Sequence, residues 1–220
     1  MNVEEFREKA KDPEYCPGWD AIDYAFAKQY PDQEPHHYAT NLEKRAALGG
    51  DQFLDGFSIY QSNHDYKHIV TYGMSELYAD EEALGGEFSR WGYEMTMKLK
   101  ASSDEECEWA LSFLGNLARY TYVKESWFEP GHYMANANQQ SLKLGSDSKI
   151  TGFIVVEDTE VAGLDTIYGR VDFLQMVGIT SEEYNMIHED YSKLADLIEA
   201  MKKDNPYLVT DMNRTKSYIF

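Results

Sequence analysis

The chain has 220 residues, 43% of them hydrophobic and 14% aromatic, with 17 tyrosines; this is enough to bury a sizeable core in one domain and excludes a disordered acidic tail. Lys and Arg total 20 against 39 Asp and Glu, a net charge of -19 and a pI near 4.6, so a bare phosphate backbone is repelled and direct nucleic-acid binding is not expected. Two cysteines without a C-x-x-C pair, a charged start ("MNVEEFREKAKD") and no run of about 20 apolar residues exclude a disulfide framework, a zinc ribbon and a membrane-spanning helix, and the expectation is a soluble cytoplasmic protein.

Residues 3–11 read as a short polar helix, and the breaker run "DPEYCPGW" separates this N-terminal helical extension (1–17) from the main domain (18–220). Trp19, Ile22, Phe26 and Tyr30 recur at helical spacing, and Pro31 stops that helix. The following "PDQEPHH" turns the chain toward a sheet.

Extended segments then predominate: "FSIYQ" (57–61), "YKHIVTYG" (66–73), "WGYEMTMKLK" (91–100), "GFIVVED" (152–158), "YGRVDFLQMVG" (168–178) and "PYLVTDM" (206–212). In the third, Trp91, Tyr93, Met95, Met97 and Leu99 alternate with polar residues, which predicts a half-buried strand. Two helices interrupt the strands, each opening on a capping-box pattern, Ser103 with Glu106 and Thr180 with Glu183. Their apolar faces run from Cys107 to Thr121 and from Tyr184 to Met201, and both are expected on one side of the sheet. Residues 124–150, rich in Asn, Gln, Ser and Gly, read as a long connection. Because strands and helices do not strictly alternate and "SNHD" joins two neighbouring strands, the predicted fold is α+β. One domain carries a mixed, largely antiparallel sheet of six or more strands covered by helices.

The chemistry-bearing residues give few alternatives. His64 and His68 are spaced i, i+4, yet on an extended chain they stand roughly 13 Å apart, and His36 and His37, being adjacent, point to opposite faces. A metal-dependent hydrolase using His36 or His37 with His64 or His68 is the alternative from another class. No H-E-x-x-H, G-x-S-x-G, Walker or G-x-G-x-x-G pattern occurs, and Ser75 in "GMSEL" lacks the glycine a nucleophile elbow needs; no cofactor is expected. The loop "SELYADEEALGGE" (75–87) instead places Tyr78 beside Glu76, Asp80, Glu81 and Glu82, an aromatic ringed by acids that suits a basic protein partner or peptide.

The stretches "GWDAIDYAFAKQYPDQEPHHYAT", "LDGFSIYQ", "HIVTYGMSELY", "GYEMTMKLK", "LGNLARYTY", "VDFLQMVGITSEE" and "YLVTDM" resemble, in this order, the Suppressor of fused family across about residues 18–214. The resemblance implies a domain without known enzymatic activity that holds other proteins. In animal members this domain is the N-terminal lobe, a second lobe follows, and a strand-like peptide of a Gli-type transcription factor is clamped between the two. With its last residue at Phe220, the sequence is expected to lack the second lobe. Tyr78 stands at the last position of the family's S-x-L-Y motif, part of the peptide-binding surface in animal members. Single-domain relatives look bacterial, and some act as immunity proteins or antitoxins. The expectation is therefore a non-enzymatic protein-binding module, with a toxin-neutralising role among its forms.

Overall fold

The computed structural model describes residues 1–220. In chain order it contains α1 (Val3–Lys9), α2 (Pro17–Gln29), β1 (His36–Ala39), β2 (Gly56–Gln61), β3 (Lys67–Tyr72), β4 (Phe88–Leu99), α3 (Glu108–Lys124), β5 (Tyr133–Ala135), β6 (Ile150–Glu157), β7 (Leu164–Thr166), β8 (Gly169–Thr180), α4 (Ser181–Glu189) and α5 (Leu194–Asp204). The eight strands form one sheet in the order β1-β2-β3-β4-β8-β6-β5, with β7 paired to β8. Only β4 and β8 run parallel, so the α+β fold with a mixed, largely antiparallel sheet is as expected.

The helices do not share one side of the sheet, and this corrects the sequence reading. Along β6, Phe153 and Val155 pack with α3, whereas Ile154 and Val156 pack with α4 and α5. Likewise Ile69 faces α3 while Val70 and Tyr72 face α2 through Ile22 and Phe26. Successive strand residues point to opposite faces, so α3 covers one face and α2, α4 and α5 cover the other.

Covering both faces changes β4. Its apolar residues Tyr93, Met95, Met97 and Leu99 face α3 as the alternation requires, but Glu94, Thr96 and Lys98 on the other face are fully buried rather than solvated. A central strand with helices on both sides has no wet face, and its polar residues need internal partners.

Other boundaries move for local reasons. The helix read from Thr180 to Met201 breaks at Asp190, which leaves helical geometry (φ -145°) and whose carboxylate accepts from the Ser192 N–H and hydroxyl, starting a 3-10 turn before α5. The Thr180–Glu183 capping box forms, but the Ser103–Glu106 one does not: Glu106 accepts from the Ser102 N–H, and a 3-10 turn precedes α3. Residues 206–212 are not a strand. Leu208 adopts φ +52°, and the Asn205 side chain bonds both backbone groups of Val209, leaving Thr210 alone bridged to β4. Within 124–150, β5 adds an edge strand to β6. α1 docks through Phe6, which is buried edge-on to Tyr15 and Tyr168.

Candidate functional site

Tyr78 is held in place by a carboxylate beneath it. Glu94, at the centre of β4, accepts five hydrogen bonds from the end of β3 and the turn that follows it: Thr71 hydroxyl (2.7 Å), Gly73 N–H (3.0 Å), Met74 N–H (3.3 Å), Ser75 N–H (2.9 Å) and Ser75 hydroxyl (2.7 Å). Burial pushes the Glu94 carboxyl up, against the pull of these donors. Ser75 is thereby a turn residue with its hydroxyl committed. On the far side, the Gly18 and Trp19 N–H groups at the start of α2 donate to Leu77 O (3.1 and 3.3 Å). Leu77 is buried between these anchors, and Tyr78 emerges 43% exposed.

A groove surrounds that ring. The Tyr78 hydroxyl donates to Asp55 Oδ1 (2.8 Å), and the same carboxylate pairs with the Arg45 guanidinium. Burial, followed by the bond to Asp55, holds the phenol above its usual range, so Tyr78 remains a neutral donor. Across the groove Arg90 lies 4.0 Å from Glu76 and over the Tyr122 ring (5.4 Å to its centroid), while Tyr122 donates to Gly73 O (2.5 Å). Arg90 (φ +55°) and Gly92 (φ +81°) lie in a bulge between the Phe88–Arg170 and Tyr93–Asp172 pairs of β4 and β8. The bulge makes Arg90 the shared wall of the Tyr78 groove and of a second concavity lined by Phe88, Trp91 and Trp127. Phe88 and Trp127 are more than half exposed. The sequence reading passed over both aromatics because neither belongs to a motif.

The acidic loop divides in two. Glu76 lines the groove with Tyr78, but Asp80, Glu81 and Glu82 do not. Asp80 accepts from the Glu82 N–H (2.9 Å), and Glu81 is bridged to Arg7 of α1 (2.5 and 2.7 Å). Tyr78 therefore sits among two cations, Arg45 and Arg90, and two anions, Asp55 and Glu76, rather than within a ring of acids.

The four histidines of the hydrolase alternative do not converge. His36 Nδ1 meets Asp104 Oδ2 (2.5 Å), His37 Nδ1 meets Ser58 Oγ (3.1 Å) between Trp19 and Tyr72, and His64 Nε2 meets Tyr207 Oη (2.9 Å). His68 lies between Tyr30 Oη (2.8 Å) and Asp158 Oδ2 (2.9 Å). No group of three or more His, Cys, Asp or Glu side chains is arranged to hold a metal ion, so that alternative has no ligand set. The Tyr30–His68–Asp158 chain has the order of a catalytic relay, but His68 and the Asp158 side chain are sealed from solvent. It is instead the core of a buried cluster. Lys98 Nζ reaches Asp158 Oδ1 (3.2 Å), Glu160 Oε2 (2.8 Å) and Thr159 Oγ1 (2.6 Å), Thr96 donates to Asp158 (2.6 Å), and Gln29 donates to Glu160 (2.9 Å). The polar partners of Thr96 and Lys98 are here, whereas those of Glu94 lie at the end of β3 and in the turn after it.

These features define a class: a single-sheet α+β domain with its polar interior sealed and its accessible chemistry gathered in aromatic, charge-paired grooves. Residues 50–215, more than half of the chain, match the model of the Suppressor of fused protein (SUFU) family, and the chain belongs to that family. It is 29% identical over 200 residues to the human Suppressor of fused homolog, covering 84% of this chain, and the mouse homolog matches equally. The chain spans 40% of the length of these curated relatives. Among solved structures, the Sufu-Fu complex aligns at a TM-score of 0.77 and 26% identity, covering 91% of this chain and 92% of that one. Drosophila Suppressor of Fused aligns at 0.78 and 26%, covering 94% of this chain and 53% of that one. A SUFU homolog from Neisseria gonorrhoeae shares the fold at 0.62 and 15%, covering 92% and 97%. The motif order quoted from the sequence thus identified the family. The family is one of protein-binding modules, and one solved relative is held in a complex with Fu.

Proposed function

We propose that this chain is a non-enzymatic, cytoplasmic protein-binding module that holds an extended segment of its partner at the Tyr78 groove. The observation that carries the reading is the rigid presentation of a half-exposed tyrosine: Glu94 and Gly18 fix the turn beneath it, while Arg45, Asp55, Glu76 and Arg90 offer both signs of charge around it. Exposed aromatics fixed against a rigid base are the usual anchors of protein interfaces, and the paired ions rim the site without leaving an unmatched buried charge. The Phe88 and Trp127 concavity continues the same surface through Arg90.

In its particular form the proposal is an immunity or antitoxin protein that neutralises a basic toxin. The net charge of -19 supports this by steering a basic partner at long range, while the balanced groove provides the short-range contact. The test is affinity capture from the native host with the chain as bait. A stoichiometric protein partner is expected, lost with Tyr78→Ala and bound more slowly after Glu81→Lys with Glu82→Lys. A partner indifferent to Tyr78→Ala overturns the groove assignment, and a captured partner without toxicity to cells lacking this chain overturns the immunity form.

A further inference from the structure

The outer edge of β5 lies at the opposite end of the sheet from β1, and its two flanks differ sharply in chemistry. β5 is the last strand of the sheet and pairs only with β6. Asn136 N–H donates to Thr151 O and His132 O accepts from Val155, so by antiparallel alternation the backbone groups of Tyr133 and Ala135 point outward. An unpaired strand edge is a template for one more strand.

On the α3 side of that edge lies an apolar groove, lined by Trp109, Phe113, Met134, Leu142, Leu144 and Phe153. Leu144 is 75% exposed. On the α4 side lies an aromatic patch: Tyr133 is 5.7 Å from Tyr184, 6.1 Å from Tyr191 and 6.3 Å from His188 between ring centroids. Tyr191 is 58% exposed, its hydroxyl reaching back to Gly131 O. The segments bearing this patch also carry the exposed acids Glu129, Glu189 and Asp190, against one cation, Lys193, whose charge faces Asp190. Tyrosine faces beside carboxylates attract cationic side chains.

The pleat turns these flanks into a sequence rule. A strand added to β5 places alternate side chains beside Met134, into the apolar groove, and beside Tyr133 and Ala135, onto the aromatic and acidic patch. The edge of β1 offers no equivalent, because His36 and Tyr38 are bound to Asp104 and His37 to Ser58.

We infer that the β5 edge is a second interaction surface, separate from the Tyr78 groove, that takes an extended partner segment in which basic and apolar residues alternate. The probe is a synthetic nonapeptide alternating arginine and leucine, titrated against the full chain by calorimetry and amide NMR. Its controls are a peptide of the same composition in scrambled order and an alternating peptide N-methylated at every second backbone nitrogen. The expected result is one-to-one binding with shifts centred on residues 131–136 and 109–117. Each control peptide, and each of the variants Tyr191→Ala, Leu144→Asp and Ala135→Pro, should weaken binding at least tenfold. Tyr191 and Leu144 are surface positions and the outward N–H of Ala135 bonds nothing inside, so thermal melts close to wild type accompany those losses. Equal affinity for the scrambled peptide, shifts centred on Tyr78, or a concentration-dependent dimer abolished by Ala135→Pro would each overturn the inference. Tyr78→Ala should leave the affinity of the nonapeptide unchanged, and a loss of peptide binding in that variant would likewise overturn the inference.

Discussion

His68 Nε2 lies 2.9 Å from Asp158 Oδ2, across 90 residues of sequence, with both side chains fully withdrawn from water. The pair ties β3 to the segment leaving β6, and Lys98 from β4 closes the cluster on Asp158 and Glu160. A buried charge group of this kind joins three strands and α2 into one unit. It contributes little net stability when intact and costs much when one member is removed.

Asp158→Asn is therefore expected to destabilise the domain by about 3–5 kcal/mol, because Lys98 and His68 lose their shared anion in a dry site. Burial opposes ionisation of Asp158, but the charges and hydrogen bonds of His68, Lys98 and Thr96 outweigh it and hold the carboxyl well below its ordinary value. A depressed carboxyl contributes stability that is fully present above the unfolded pKa of about 3.9 and is lost as pH falls through the folded value. Urea midpoints of the wild type should fall steeply below about pH 4. The variant, already weakened at pH 7, should show a shallower decline over the same window. Equal slopes would assign the acid sensitivity to other carboxylates.

How far the sequence carried this picture depends on the range over which its signals act. The alternation in residues 91–100 located β4 and its apolar face correctly, since that pattern is local. It misplaced Glu94, Thr96 and Lys98 in solvent, because their partners, Thr71, Ser75, Asp158 and Glu160, lie between 19 and 62 residues away and no local periodicity encodes them. The Asp190 break went unseen because Tyr184, Ile187, Tyr191, Leu194 and Ile198 keep helical spacing straight through it. Tyr78 was legible through its motif, whereas Arg45 and Arg90, which flank it, are brought there only by a loop and a bulge.

Glu94→Gln is nearly isosteric and is still expected to be costly. The carboxylate accepts on both oxygens, three bonds at Oε1 and two at Oε2, and an amide replaces one of those acceptors with a donor facing N–H and O–H groups. Each stranded buried donor costs roughly 1–3 kcal/mol. Chemical denaturation should show a loss of that size, and limited proteolysis should cut first within residues 73–78. Stability within 0.5 kcal/mol of wild type would mean the site holds a protonated acid.

Gly18 links α2 to the same turn. A Cβ built there meets Glu76 O at 1.7 Å and Leu77 Cα at 2.8 Å, both backbone atoms with no rotamer to give way. Gly18→Ala should therefore cost about 1–3 kcal/mol through displacement of the turn. The accompanying change in Tyr78 fluorescence or ring resonances separates turn movement from general loosening of α2.

Substitutions at Tyr78 divide its ring from its hydroxyl. Tyr78→Phe removes the bond to Asp55 but leaves Asp55 paired with Arg45, so stability should fall by about 1 kcal/mol or less, as befits a side chain 43% exposed. Tyr78→Ala removes the anchor itself, yet its effect on folding should remain small because Leu77, not Tyr78, fills the core beside α2. If the groove is the partner site, affinity for the captured partner should fall in two steps, modestly for Phe and at least tenfold for Ala, with thermal midpoints changing little in either. An affinity loss that tracks the melting temperature instead would assign Tyr78 to the architecture of the turn.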